Sequence, residues 1–244
     1  MKETRYFYVP HASELQELPV DEASHALRVL RLKVGDEIFL IDGKGCFHQA
    51  EVTLTSSKHC CYEIKRSLPQ QKTWNGNIHL AMAPTKMMER VEWMAEKATE
   101  IGFDELSFLG CRFSERKVVK TERVERIVVA AVKQSRKAWM PIVNPITSFA
   151  DFIGNPRKGT KYIAHCYDEI PRQDLFDCLC ENNSGEDFDV TILIGPEGDF
   201  SVEEVKLAMH HGYIPVSLGQ SRLRTETACL YAVMMANLTR RLIP

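Results

Sequence analysis

Ile192-Leu193-Ile194-Gly195-Pro196-Glu197-Gly198-Asp199-Phe200-Ser201-Val202-Glu203-Glu204 is the stretch on which the fold turns. Its apolar start reads as the end of a buried strand and Gly-Pro-Glu-Gly as a turn. Ser201, with Glu204 three residues on, reads as a capping box opening a helix. Strand, glycine loop and helix in that order can hold a ligand: glycines at the carboxyl end of a parallel strand let the backbone come close, and N–H groups at the helix start are free donors. The loop is not G-x-G-x-x-G and has no P-loop Lys, which disfavours a nucleoside triphosphate. A purely structural turn is the alternative. A second segment, Val216-Ser217-Leu218-Gly219-Gln220-Ser221-Arg222-Leu223-Arg224-Thr225-Glu226-Thr227-Ala228, repeats the grammar and leads into a helix from 226 to about 241. Arg224 at that helix start opposes the macrodipole, so an anion or a developing negative charge explains it better than helix stability does. Alternatively, Thr225 is only the N-cap and Arg224 pairs with Glu226.

Outward from these loops, apolar runs at 78–83, 106–109, 162–165, 190–194 and 214–218 alternate with helical patterns. That predicts an α/β domain with a largely parallel sheet covered on both faces. Met87, Val91, Met94, Ala95, Ala98 and Ile101 share one face of a core-facing helix, with Gly102 as a left-handed C′ residue. The first seventy residues differ: strands at 5–9, 37–41, 46–54 and 60–64, turn chemistry at Asp42-Gly43 and Lys44-Gly45, and a short helix over 21–30. A small barrel is the compact way to remove exposed edges from such a segment. The polar stretch 67–76 reads as the connection between domains. The expected division is a first domain over 1–70, a linker at 71–76 and a second domain over 77–244.

The 244 residues are 44% hydrophobic and 26% charged with 13 Gly and 11 Pro, which excludes collagen-like, low-complexity and disordered chains. No run approaches the roughly 18 apolar residues of a membrane span. Met1-Lys2-Glu3-Thr4-Arg5-Tyr6 lacks the apolar core of a secretory signal, so the cytoplasm is the expected compartment. The eight Cys and eight His match no disulfide framework, C-x-x-C or H-E-x-x-H pattern. Reduced, mostly buried thiols and no metal site are expected. Net charge is −2, yet 112–137 holds nine Lys/Arg against three Glu, while 168–204 holds twelve Asp/Glu against Arg172 alone. Such asymmetry suits a polyanion site on one face. Over 122–137, Val124, Ile127, Val128 and Ala131 form an apolar helix face, with Arg123, Arg126, Lys133 and Lys137 opposite. A solvated face is the alternative to a phosphate footprint.

Gly195-Pro-Glu-Gly198 followed by Leu218-Gly219 and Leu223-Arg224-Thr-Glu-Thr-Ala228 resembles the RsmE family, ribosomal RNA small-subunit uridine-N3 methyltransferases of the SPOUT superfamily. The likeness runs over nearly the whole chain. Arg5-Tyr-Phe7, His25-Ala-Leu-Arg28-Val-Leu-Arg31, Val34-Gly-Asp-Glu37 and Asp42-Gly-Lys-Gly45 are similar to the family's first domain. Lys86, Arg90, Glu92, Lys97-Ala-Thr-Glu100-Ile-Gly102, Arg112, Ser114 and Gln134-Ser-Arg136 are similar to its catalytic half. Two local departures are Asp199, where a second Gly is the family pattern, and Gln220-Ser221-Arg222, where Pro-Arg-Ile commonly follows Leu-Gly.

The resemblance implies a PUA-like RNA-binding β-barrel followed by an α/β SPOUT domain with a C-terminal trefoil knot, working as a homodimer on 16S ribosomal RNA in the assembled 30S subunit. It implies S-adenosyl-L-methionine as cofactor, held by Ile194, Gly195, Glu197, Gly198, Leu218, Gly219, Leu223 and Arg224. Methylation at uridine N3 needs the imide proton removed, so the enzyme must favour an anion; Arg224, with Arg136 second, is the expected electrostatic catalyst and Glu226 a candidate base. RNA contacts are expected from Arg5, Arg28, Arg31, Lys86, Arg112, Arg123, Arg126, Lys133, Gln134 and Lys137, mainly to phosphate. Neither a membrane nor a metal is expected as a partner. Ribose 2′-O methylation and a non-catalytic RNA-binding role are the competing readings, and a dinucleotide-binding dehydrogenase is the weakest because no fingerprint follows any strand.

Overall fold

The computed structural model of the protein describes residues 5–181 and 189–241, so 1–4 and the middle of the acidic stretch, 182–188, lie outside the described residues. Two compact units emerge: Met1–Lys72 with Val129–Met140, and Thr73–Val128 with Pro141–Pro244.

In the first unit, β1 (Tyr6–Tyr8) runs parallel to β2 (Glu37–Ile41), and β3 (Cys46–Thr55) and β4 (Cys60–Pro69) continue the sheet antiparallel. The described hydrogen bonding gives a four-stranded sheet in the order β1-β2-β3-β4, with register shifts between Gln49 and Ala50 and between Val52 and Leu54. Phe7, Ile38, Leu40, Val52 and Tyr62 are buried in one core. The expected helix over 21–30 begins as α1 (Val20–Ser24) and widens into a π-helical turn, His25–Val29. β4 runs into the polar stretch 67–76: Leu68 pairs with Phe47 and Pro69 with Cys46. Val129–Met140 belongs to this unit through specific contacts. Lys133 reaches Glu22 at 2.6 Å, the Met140 N–H donates to the Gly43 carbonyl at 3.0 Å, and Trp139 bridges Lys44.

The second unit is a mixed α/β structure built on seven parallel strands. In chain order its elements are β5 (Ile78–Met82), α2 (Met88–Ile101), β6 (Glu105–Gly110), α3 (Thr121–Ser135), β7 (Ile142–Ser148), α4 (Phe149–Gly154) and β8 (Thr160–Ala164). Then come β9 (Gln173–Asp174), α5 (Leu175–Glu181), β10 (Val190–Ile194), α6 (Val202–His210), β11 (Ile214–Ser217) and α7 (Thr225–Thr239). The last seven residues of α3 fall in the first unit's segment. The sheet order is β7-β6-β5-β10-β8-β11-β9, and every pair is parallel. β5 and β10, at its centre, are buried at every residue, as near-continuous apolar runs covered on both faces should be. β7 escaped the sequence reading because Asn144-Pro145 interrupts it. Pro145 is tolerated at the sheet's edge, where the register shifts between Leu106 and Phe108.

α2 buries Val91, Met94, Ala95, Ala98 and Thr99, as its periodicity predicts, and ends at Gly102 with φ +123°. A Cβ there would lie 2.7 Å from the Trp74 ring and 2.9 Å from Asn237 Nδ2, while the Asn237 amide donates to the Gly102 carbonyl at 3.3 Å. Trp74, from the stretch read as linker, is buried, and its Nε1–H donates to Asp104 Oδ2 at 2.8 Å. The same oxygen accepts from Ile78 N, which fixes the start of β5. Positive φ and lack of space act together, so Gly102→Ala should lower stability by about 2–4 kcal/mol. Urea unfolding followed by tryptophan fluorescence measures it.

Candidate active site

β8, β10 and β11 are sequence-distant but neighbours in the sheet, so their chains leave the carboxyl edge side by side. The segments that follow, at 164–166, 194–199 and 217–224, line a cavity of about 400 Å³. The Thr225 hydroxyl, at the start of α7, donates to the Gly195 carbonyl at 3.1 Å and joins the two glycine loops. A Cβ on Gly195 would sit 3.0 Å from the Phe200 amide nitrogen, so a side chain there would need the tight turn to give. Asp199 N donates to the Pro196 carbonyl at 2.9 Å, and the capping box of Ser201 with Glu204 forms at the start of α6. Glu197 Oε1 accepts from Lys86 N at 2.9 Å, which sets that carboxylate at the cavity wall.

Of the expected cofactor residues, Ile194, Gly195, Glu197, Leu218, Gly219, Leu223 and Arg224 line this cavity, and Gly198 lines the adjoining cleft with Gln220 and Arg222. Arg224 is the N-cap of α7 but makes no side-chain capping bond, and no ion-pair partner for it occurs among the described residues. Glu226 pairs with Arg90 at 2.9 Å instead, and both line the cavity. The alternative in which Arg224 is held by Glu226 is thereby replaced. Arg136 is not part of the lining; it lies in the first unit at φ +53°, its guanidinium 5.5 Å from the centre of the Tyr6 ring.

Among the expected RNA contacts, Arg28, Arg31, Arg126 and Gln134 are exposed and Arg5 and Lys137 half-buried. Four others carry ion pairs. Lys86 meets Glu115 at 2.9 Å, Arg112 meets Glu203 at 3.0 Å, Arg123 donates to Glu92 Oε2 at 2.9 Å, and Lys133 meets Glu22 at 2.6 Å. The stripe on α3 has no Glu of its own, but α2 and α1 supply one each. Exposed surface pairs contribute little to stability, yet they make these cations poorer phosphate ligands than the helix sequence alone suggests.

His165 and Cys166, at the end of β8, and Arg172 also line the cavity and were missed because no motif marks them. The buried His165 ring accepts from Tyr167 N through Nδ1 at 3.2 Å, so Nε2 carries the proton; that donor has no partner among the described residues. Burial lowers the His165 pKa and keeps the ring neutral. Burial and then the Asp199 carboxylate raise the Cys166 thiol. All eight cysteines are free thiols, four of them buried. Against the expectation of no metal cluster, Asp42, Cys46 and His48 bring ligand atoms within 4.8 Å of one another, but His48 Nδ1 already meets Ser67 Oγ at 2.9 Å and Asp42 Oδ1 accepts from the N–H groups of Lys44 and Cys46.

The family model described as an RNA methyltransferase domain matches residues 72–237, and that described as an RNA methyltransferase PUA domain matches 18–65. Ribosomal RNA small subunit methyltransferase E of Rickettsia conorii is 27% identical over 224 residues, spanning 91% of this chain and 89% of that protein. The crystal structure of a probable rRNA-methyltransferase from Porphyromonas gingivalis is 42% identical, covers 97% of this chain and 98% of the other, and superposes with a TM-score of 0.88. Ribosomal RNA small subunit methyltransferase E from Neisseria gonorrhoeae, solved bound to S-adenosyl methionine, is 28% identical with a TM-score of 0.76 over 95% of each chain. With the RNA methyltransferase domain model matched over residues 72–237, more than half of its length, this chain belongs to the RNA methyltransferase family.

Proposed function

We propose that the protein is an S-adenosylmethionine-dependent methyltransferase that modifies N3 of a uridine in small-subunit (16S) ribosomal RNA, acting on the assembled 30S subunit in the cytoplasm. The observation that carries this reading is the convergence of the Gly195–Gly198 and Leu218–Arg224 loops on one cavity, in a chain akin to a protein named ribosomal RNA small subunit methyltransferase E. The cavity's size suits a nucleoside-sized ligand. Its lining mixes apolar Ile194, Leu218 and Leu223 with donors, and the unpartnered His165 Nε2–H is the kind of buried group that a bound ligand would satisfy.

When bound, S-adenosylmethionine supplies an electrophilic methyl group on a sulfonium. The chain's own residues then have to select the reactive form of uridine. Uridine N3 carries a proton at neutral pH, and Arg224 favours the anion left by its departure, through charge and through hydrogen bonds to the flanking carbonyl oxygens. Glu226 is occupied by Arg90, so its role in this reading is to hold Arg90 at the cavity rather than to take the proton, which passes to water. The target base reacts on its Watson–Crick edge and must be unpaired or flipped out of its stack to enter. Arg136 and the basic residues of both units contribute through RNA phosphates.

The reading includes a closed PUA-like barrel in the first unit, a trefoil knot around the glycine loops and a homodimer. The threading finds support in the hydroxyl of Thr225 joined to Gly195, and in α7 packing against α2, β5 and β10. The dimer finds support in Tyr231, Met234 and Leu238, which expose an apolar stripe on α7.

Labelled methyl transfer to 30S subunits lacking the modification should yield N3-methyluridine on nucleoside analysis; methyl on a ribose oxygen would overturn the assignment. At saturating cofactor, Arg224→Ala should lower single-turnover methyl transfer about 10²–10³-fold. RNA affinity should fall by about tenfold or more between 50 and 200 mM salt, and a flat dependence would remove the phosphate footprint.

A further inference from the structure

Asp199 holds a backbone conformation that side chains rarely adopt, with φ +67°. Of the four non-glycine residues of positive φ among the described residues, His11, Arg31 and Arg136 belong to the first unit, and Asp199 alone lines the cavity. Such a conformation persists only where its surroundings hold it. Asp199 Oδ1 accepts from Phe200 N at 2.7 Å and Oδ2 from Cys166 N at 2.7 Å. The carboxylate therefore pins the segment after β8 to the loop after β10. Next to this pin, the Tyr167 hydroxyl donates to the Phe200 carbonyl at 2.6 Å.

The charge of that carboxylate matters as much as its hydrogen bonds. The lining holds four guanidinium groups, Arg90, Arg172, Arg222 and Arg224, against three carboxylates, Glu197, Asp199 and Glu226. Glu226 is tied to Arg90, and Arg172 reaches outside the cavity to Asp168 at 2.9 Å. What remains is Arg222 and Arg224 facing Glu197 and Asp199. The hydrogen-bond partners of Asp199 among the described residues are two backbone N–H groups and the Cys166 thiol, and its carboxylate forms no ion pair among them. Without it the groups left outside these ion pairs would be two guanidiniums against Glu197 alone, an excess of positive charge that is unfavourable for a cationic ligand.

We propose that Asp199 is a specificity-determining residue of the cofactor cavity, favouring cationic S-adenosylmethionine over the neutral S-adenosylhomocysteine left after transfer. The inference rests on the reading of this cavity as the S-adenosylmethionine site. The two ligands differ by one methyl group and one unit of charge at sulfur. Loss of the pin weakens both alike, whereas loss of the charge changes their ratio.

Calorimetry on the full chain gives the dissociation constants of both ligands for the wild type, for Asp199→Asn, which tolerates left-handed backbone, and for Asp199→Gly, which removes the strain. In both variants the preference for S-adenosylmethionine relative to S-adenosylhomocysteine should fall by about three- to tenfold. An unchanged ratio in either variant that still binds, even with both affinities weakened, would reduce Asp199 to a structural pin and overturn the proposal. Wild-type protein that binds neither ligand would instead overturn the cofactor reading itself.

Discussion

Pairing on both sides of β10 is the constraint on which the rest of the molecule's working end depends. Val190 to Ile194 are hydrogen-bonded to β5 along one edge and to β8 along the other, in unbroken parallel register. A strand so placed has no polar face to offer, which accounts for its Val-Thr-Ile-Leu-Ile sequence and complete burial. The placement also decides where the chemistry gathers. Parallel neighbours all end on one edge of the sheet, so the segments after β8, β10 and β11 meet although 30 residues separate the first from the second. A one-place change in strand order would scatter the same loops.

The elements that sequence reveals best are those whose signal is local. The runs that become β2, β5 and β10, the face of α2, and the capping box of α6 are written in consecutive residues and in the 2.0 and 3.6 periodicities. β7 is hidden because an edge strand can carry Asn144 and Pro145, which a central strand would reject. The connection near residue 70 looks polar in composition, yet Trp74 within it is buried against Gly102 and anchored on Asp104. One aromatic residue in a polar stretch is easily discounted.

For the cavity, the glycine loops are legible because Gly, Pro and the capping pair stand together, while His165, Cys166 and Arg172 come from a third segment with no pattern of its own. The electrostatics are the least legible layer. Arg123 and Lys133 look like a free basic stripe along α3, but their counter-charges, Glu92 and Glu22, are 31 and 111 residues away in sequence. Glu226 likewise finds Arg90 across 136 residues rather than Arg224 two positions before it. Charge pairing is a property of the folded surface, and counts along the chain overstate the cations available to a polyanion.

The same central strand imposes an order on synthesis. β5 emerges early and gains β6 on one edge, but its other edge stays open until residue 190 has left the ribosome. β8 is in a harder position, since its partners are β10 and β11, both made later. β5 therefore presents one unsatisfied backbone edge while residues 83 to 190 are made, and β8 presents both of its edges from residue 164 until β10 begins at 190, the state in which nascent chains pair with the wrong neighbour. Non-local parallel pairing of this kind folds slowly as a rule. The arrangement that concentrates three loops at one cavity thus leaves the newborn chain dependent on late completion, and a chaperone that shields exposed β edges would act chiefly in the interval before β10 arrives.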